Sequence, residues 1–239
     1  YMMMRRAKQQ ILPLGLDRRH ENPGRPRGKN PRIAHASRDA FPADHPCHVT
    51  LRVRPGLPTL RDPDVVREIE AAFRRGNERK QFRLVPYSIQ DDHAHLIGEA
   101  DGASALGRGM KSLASLFAFA VNRALGRTGA VLADRYHLRV LKCPRQVRNA
   151  IAYVLLNARK HAEQRSRQLR ESGMRNVPVL RNDGAIDAAS SGRWFAGWRA
   201  ARIRSDGSLP AVATPRTWLL RAGWRMHGLI DPNAIPVRA

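Results

Sequence analysis

The order in which strand-like and helix-like hydrophobic patterns follow one another is the feature that most constrains the fold of this chain. The patterns run strand 47–54, helix 63–76, strand 82–89, strand 93–99, helix 103–125, strand 137–142 and helix 144–165. Alternating apolar and polar residues mark the strands, and apolar residues three to four positions apart mark the helices. The β-α-β-β-α-β order is the split βαβ, ferredoxin-like arrangement. We therefore expect an α+β fold with a four-stranded antiparallel sheet, helices on one face and an open second face.

Capping and turn residues support these boundaries. Asp62 and Pro63 stand at the start of the first helical pattern and Gly76 at its end, which matches the residue preferences of helix termini. Asp91-Asp92 separates the second strand from the third and predicts a hairpin.

Composition divides the chain into three parts. Residues 1–44 are basic and punctuated by proline and glycine, which predicts a disordered arm. Within it, Arg25 and Arg27 flank a proline in a segment similar to the core of an AT-hook. These arginines could enter an A·T minor groove or, equally well, contact phosphates as part of a solvated tail. Residues 45–165 form the main domain, and 166–239 a polar linker with a small C-terminal helical tail.

Charge and cysteine content point to a nucleic-acid partner in a reducing compartment. The chain has 43 Lys and Arg residues against 20 Asp and Glu, a formal net charge of +23. Because like charges repel in a compact state, this excess favours a polyanionic partner. Two distant cysteines, Cys47 and Cys143, exclude a disulfide framework and a four-cysteine zinc site. No apolar run suits a membrane helix and no signal-peptide pattern is present, so we expect a cytoplasmic protein.

Two small groups of residues carry candidate chemistry. His93 and His95 lie two positions apart on a predicted strand, so both imidazoles face one side and could hold one divalent ion. Such a pair is also common on ordinary protein surfaces. Tyr153 and Asn157 lie about one turn apart on a predicted helix and point together. Amphipathic packing alone would explain them as well.

Together the two groups resemble a known family. A His-x-His strand followed by a helix with Tyr-x-x-x-Asn is similar to the REP-associated tyrosine transposases of the single-tyrosine HUH superfamily. The resemblance covers about residues 44–165. It rests on His45-Pro46-x-His48-Val49-Thr50, Asp92-His93-Ala94-His95-Leu96-Ile97, Asp134-Arg135-Tyr136-His137 and Tyr153-x-x-x-Asn157.

The resemblance implies a site and a reaction. It makes Tyr153 the nucleophile and His93, His95 and Asn157 the ligands of a divalent cation, Mg²⁺ or Mn²⁺. The implied reaction cleaves and rejoins single-stranded DNA beside hairpin repeats of the REP type through a 5′-phosphotyrosine, in the bacterial nucleoid. The family often continues Asn-Pro after the third ligand, whereas this chain has Asn157-Ala158. Alanine keeps a helical hydrogen bond that proline removes, so the ligand assignment is not weakened.

Basic residues around these motifs are candidate phosphate contacts. They are Arg135, Arg139, Arg148, Arg159 and Lys160. Each of them could equally belong to a general basic surface. The short connection at 141–144 favours a site completed within one chain, and hence a monomer over a dimer.

Two other functions remain open from the sequence. The first is a non-catalytic module that binds single-stranded DNA or RNA on the open face of a ferredoxin-like sheet through exposed aromatic residues, for which Phe82 and Tyr87 are the main candidates. The second is an HUH nuclease of replication initiation or conjugation. The compact spacing and the Asn four residues after Tyr153 favour the transposase branch.

Overall fold

A computed structural model describes residues 41–79, 81–174, 183–199 and 207–236. Residues 40–239 form one structural unit. The AT-hook-like segment with Arg25 and Arg27 lies outside the described residues. What we expect of those two arginines therefore stays a prediction.

One antiparallel sheet organises the described chain. Its strands are β1 (Cys47–Arg52), β2 (Glu78–Arg79), β3 (Phe82–Ile89), β4 (His93–Ala100) and β5 (His137–Val140). They lie in the order β2-β3-β4-β1-β5, and all neighbours are antiparallel. The four longer strands have the predicted split βαβ topology, so the predicted α+β fold class is confirmed. The two-residue strand β2 adds a fifth, outer strand beside β3, which the sequence pattern did not predict.

The helices follow the periodic segments with one exception. They are α1 (Pro63–Gly76), α2 (Ala103–Ala124), α3 (Pro144–Leu155), α4 (Asn157–Glu171) and α5 (Trp218–Arg221), with 3-10 helices at Ser191–Trp194 and Gly223–His227. The Asp62 carboxylate accepts the backbone N–H groups of Asp64 and Val65, which confirms it as the N-cap of α1. No helix in the described part of the chain is long and apolar enough to cross a membrane.

The exception is the predicted continuous helix over 144–165, which is wrong. The chain bends at Leu156, where φ is −108° and ψ is 12°, and α4 begins at the next residue. The Leu156 N–H still donates to the Ala152 carbonyl, so the bend costs little hydrogen bonding. No proline or glycine stands there to announce it in the sequence.

The first face of the sheet packs against α1 and α2. Phe73 of α1 stacks on Phe117 of α2 with ring centroids 6.1 Å apart and meets Tyr87 of β3 edge-on at 4.9 Å. All three side chains are fully buried. Close burial of large aromatic rings makes this layer the main core of the domain.

The second face is covered as well, which corrects the expectation of helices on one face only. Ile97 of β4 points away from α1 and α2 and is buried among residues of α3 and the C-terminal tail. Leu220 and Trp224 of the tail belong to the same cluster. Strand β3 is buried along nearly its whole length, as a strand packed on both sides is. The apolar residues of the second face thus require a cover, which α3 and the tail supply.

Polar anchors fix the C-terminal tail to the sheet. The buried carboxylate of Glu99 on β4 accepts the backbone N–H groups of Arg216 and Thr217 and the Thr217 hydroxyl. The Arg61 guanidinium donates to both carboxylate oxygens of Asp187 at 2.7 and 3.0 Å. These contacts hold the tail over part of the second face. The remaining part, from His93 and His95 on β4 across β1 to β5, is the candidate site.

Candidate active site

Strand alternation and pairing bring three histidines together on the second face. His93 and His95 lie on the same side of β4, as predicted. Thr50 of β1 is the cross-strand partner of His95, so Thr50 and His48, two residues apart on β1, share that side. Paired side chains across a sheet lie close enough for direct contact.

The ring nitrogens form a continuous set of short contacts. His93 Nε2 lies 3.0 Å from His95 Nε2. On the far side of that ring, His95 Nδ1 lies 3.1 Å from His48 Nε2 and 3.2 Å from Thr50 Oγ1. His93 Nδ1 lies 2.6 Å from the Asp92 carboxylate. Each imidazole of the predicted pair therefore has its Nε2 turned toward the other and its Nδ1 held by an outer residue.

Burial keeps the inner histidines uncharged. It lowers the pKa of His95 to about 2, with the neighbouring charges of His48 and His93 adding to the effect. Burial also lowers the pKa of His48 to about 4, helped by His137 and Arg139. A neutral imidazole keeps a lone pair free, which is the form that binds a metal ion.

Helix α3 places Tyr153 beside this cluster. Its ring lies 5.1 Å from the His95 ring and 5.9 Å from the His48 ring, edge-on to both. The Lys160 ammonium of α4 lies 4.9 Å from the centre of the tyrosine ring. Tyr153 is half-buried, so it borders the cluster without being sealed off from a large substrate.

Asn157 opens α4 directly after the bend at Leu156. Its side chain is fully buried, yet neither Oδ1 nor Nδ2 has a hydrogen-bond partner in the described part of the protein. A buried amide without partners is costly, at about 1–3 kcal/mol. A buried amide of this kind indicates a partner that is not part of the polypeptide, such as a ligand or an ion.

The two facing imidazoles could hold one divalent cation. Their Nε2 atoms, on His93 and His95, lie 3.0 Å apart, close enough to bind the same ion. Outer partners on both Nδ1 atoms are what metal-binding histidines normally have. Among the described residues, no three His, Cys, Asp or Glu side chains form a group that could hold a metal. The remaining candidate donor is the amide oxygen of Asn157.

A cavity of about 590 Å³ adjoins the cluster on the α4 side. His161 lines it, and its ring lies 6.4 Å from the His93 ring. Burial lowers the pKa of His161, and His93 contributes. The cavity is also lined by Arg165 and, from the tail, by Asp187. His93, His95 and Tyr153 do not line this cavity, so it neighbours the cluster through His161 and does not open onto it.

The five predicted phosphate contacts within the described chain fall into two groups. Arg135 and Arg139 are exposed on and beside β5, with Arg139 paired to His48 across the sheet, and Lys160 lies over Tyr153. Arg148 instead donates to the Gly228 and Leu229 carbonyls. Arg159 likewise donates to the Asn233 carbonyl. The second group is engaged with the C-terminal tail.

Sequence reasoning missed three residues of this site. His48, Thr50 and Asp92 stand in the motifs that carry the resemblance, but the sequence assigned none of them a place in the site. The signal for Asp92 is its position directly before His93. For His48 and Thr50, the signal is the motif in which they stand, but the motif does not predict their contact with His95, because that contact depends on the register between β1 and β4.

The sequence matches no family model and no curated protein at a significant level. Among solved structures, the chain is similar to a REP-associated tyrosine transposase bound to a REP hairpin, at 14% sequence identity and a TM-score of 0.45. The match covers 66% of this chain and 96% of that one. Identity and TM-score are both too low for this likeness to support a functional assignment, which therefore has to come from the residues of the site.

Proposed function

We propose that this protein is a metal-dependent transposase of the tyrosine HUH type that cleaves and rejoins single-stranded DNA beside hairpins. Tyr153 is the nucleophile, and His93, His95 and Asn157 hold the divalent cation, Mg²⁺ or Mn²⁺. The observation that carries the proposal is the placement of Tyr153 edge-on to His95, 5.1 Å between ring centres. Amphipathic packing of a tyrosine gives no reason for a neighbouring cluster of three imidazoles and an unpaired buried amide.

Tyr153 supplies the covalent step. Its phenol oxygen forms a bond to the phosphorus of the scissile phosphate while the bond from phosphorus to the 3′ oxygen breaks. The phenol proton passes to solvent, and the released 3′ oxygen takes up a proton from solvent. The product is a 5′-phosphotyrosine and a free 3′-OH, and attack by a second 3′-OH reverses the step without external energy.

Neighbouring residues prepare this step. A bound divalent cation would polarise the phosphate oxygens and offset the charge that develops there. The Lys160 ammonium, 4.9 Å from the Tyr153 ring centre, would offset the negative charge of a phosphate placed beside that ring. An unperturbed phenol has a pKa of about 10 and is a weak nucleophile near neutral pH, so attack needs an activated phosphate.

The exposed side of β5 supplies a path for a DNA strand. His137 and Arg139 lie on the face of the sheet that carries His48 and His95, and both are exposed. Arg135 is exposed just before the strand. Together with the net charge of +23, they favour backbone contacts to a single strand that crosses the cluster.

A non-catalytic nucleic-acid-binding module is the alternative, and one observation weighs against it. Such a module stacks bases on exposed sheet aromatics. Phe82 and Tyr87, the two candidates for that role, are both buried against α1 and α2. The Tyr87 hydroxyl donates to Glu70, so its ring and its polar atom are both committed to the core.

Cleavage of a labelled hairpin substrate tests the proposal. The protein is incubated with 5′- and 3′-labelled single strands carrying hairpins from the repeats beside its own gene, with Mn²⁺ or with EDTA. We expect a Mn²⁺-dependent cut and a protein–DNA adduct on a denaturing gel, both lost in Tyr153→Phe and His95→Ala. His227→Ala, an exposed histidine of the tail, is the matched control and should cut normally. Cleavage that persists in Tyr153→Phe would overturn the assignment.

A further inference from the structure

A chain of four hydrogen-bonded residues runs through the candidate metal centre. Asp92 contacts His93 Nδ1 at 2.6 Å, His93 Nε2 contacts His95 Nε2 at 3.0 Å, and His95 Nδ1 contacts Thr50 Oγ1 at 3.2 Å. In each of these short contacts, one polar atom must carry the proton and donate it, and the other must accept it. The positions of the protons along this chain can therefore be worked out in order.

Without an ion, the chain fixes one tautomer for each ring. The Asp92 carboxylate only accepts, so His93 carries its proton on Nδ1 and, when neutral, has a lone pair on Nε2. His95 must then donate from Nε2 to make the 3.0 Å contact. Its Nδ1 is left as an acceptor, which the Thr50 hydroxyl satisfies by donating.

With an ion held by both Nε2 atoms, His95 needs the opposite tautomer. Both Nε2 lone pairs must point to the ion, so the His95 proton has to be on Nδ1. The Nδ1–H group then donates to Thr50 Oγ1. His93 does not change, because Asp92 keeps its proton on Nδ1 in both states.

We propose that Asp92 and Thr50 are positioning residues of the metal centre and that His95 exchanges its tautomer when a divalent ion binds. The proton leaves Nε2 and an equivalent proton is taken up at Nδ1 through solvent, so the ring stays neutral. This inference rests on the proposed function, which supplies the ion and its two imidazole ligands.

Thr50 is better suited to this role than His48, although both reach His95 Nδ1. A hydroxyl donates in one state and accepts in the other simply by rotating about its C–O bond. His48 could accept from His95 only after moving its own proton to its other ring nitrogen. The threonine therefore allows the exchange without rearranging a second ring.

Metal affinity of matched variants tests the positioning roles. Mn²⁺ binding is measured by the electron paramagnetic resonance signal of the free ion, with full-length protein. We expect roughly 10–100-fold weaker binding in Thr50→Val and Asp92→Ala, the usual effect of removing an outer partner. Thr50→Ser, which keeps the hydroxyl, should bind within a few-fold of the unmodified protein, roughly an order of magnitude tighter than Thr50→Val. Asp64→Asn, at an exposed carboxylate paired with Arg67, is the control and should bind normally.

The tautomer exchange has its own spectroscopic readout. ¹⁵N shifts of the histidine rings distinguish Nδ1–H from Nε2–H, and they are recorded with EDTA and with diamagnetic Mg²⁺. We expect His95 to change from Nε2–H to Nδ1–H while His93 stays Nδ1–H. Unchanged His95 shifts on saturation with Mg²⁺, or full Mn²⁺ affinity in Thr50→Val, would overturn the inference and leave the proposed function standing. Failure of the unmodified protein to bind either ion would overturn both.

Discussion

Asn157 has a buried amide for which the protein chain alone supplies no hydrogen-bond partner among the described residues. It is fully buried with both amide atoms unpaired among the described residues, and it opens the helix that follows the tyrosine helix. Evolution seldom leaves such a group in a core without a task, since an apolar residue of similar size would be more stable. The proposed role as an oxygen ligand gives the amide its missing partner.

Replacing Asn157 by leucine should therefore stabilise the metal-free protein. Leucine keeps the branched shape of asparagine and removes the unpaired amide, so we expect the free energy of unfolding in EDTA to rise by about 1–3 kcal/mol. The rise in melting temperature that Mn²⁺ gives the unmodified protein should disappear in the same variant, because binding no longer favours the folded state. Thermal and urea unfolding with and without Mn²⁺ measure both effects. A leucine variant less stable in EDTA than the unmodified protein would contradict this role.

Among the elements, α2 lies so close to β3 that one glycine is required at their contact. A Cβ on Gly109 would overlap the ring of Phe82, whereas a Cβ on Gly107, on the exposed side of the same helix, would meet nothing within 4 Å. Close helix–sheet approach is a common reason for a glycine inside a helix.

Alanine at these two positions should have opposite effects on stability. We expect Gly107→Ala to raise the free energy of unfolding by about 0.5–1 kcal/mol, because alanine favours the helix. Gly109→Ala should lower it by about 1–3 kcal/mol, because Phe82 must shift to admit the methyl group. Urea denaturation of both variants decides this. Equal effects of the two substitutions would show that α2 does not pack on Phe82 as described.

Local signals predicted most elements but not how they cover the sheet. The start of α1 was predictable because Asp62 and Pro63 are cap residues whose effect is local. The bend at Leu156 has no helix-breaking residue to predict it. The packing over the second face brings together Ile97 and Trp224, which are far apart in sequence. The strand period predicted that His93 and His95 share a face, and the resemblance to a known family gave them their expected role as ligands. The roles of His48 and Thr50 depend on strand register, which no short motif encodes.

At the scale of the whole molecule, the arginines predicted to contact DNA are of two kinds: some are exposed to solvent, and others are hydrogen-bonded to the C-terminal tail. Arg139 is exposed beside the cluster, while Arg148 donates to the carbonyls of Gly228 and Leu229 and holds the tail. Only charges free to meet phosphates release counterions when DNA binds. The net charge of +23 therefore favours DNA binding through exposed residues such as Arg139.

Salt dependence of DNA binding should separate the two kinds. Arg139→Ala should reduce the slope of log K against log salt concentration for a single strand by about 0.7, with little change in stability. Arg148→Ala should leave the slope unchanged and lower the free energy of unfolding by about 1–3 kcal/mol through its lost hydrogen bonds. Fluorescence anisotropy titrations at several salt concentrations give the slopes. A reduced slope in Arg148→Ala would make it a phosphate contact as first predicted.

The covalent link between Tyr153 and DNA is the most direct test of the proposed reaction. After incubation with a hairpin-bearing strand and Mn²⁺, the protein is digested with trypsin and nuclease and its peptides are weighed by mass spectrometry. Cleavage after Arg148 and Arg159 releases peptide 149–159, in which Tyr153 is the one residue with a hydroxyl side chain. We expect a nucleotide 5′-phosphate on that peptide with Mn²⁺ and none with EDTA. A cleaved strand with the nucleotide on any other peptide would contradict Tyr153 as the nucleophile.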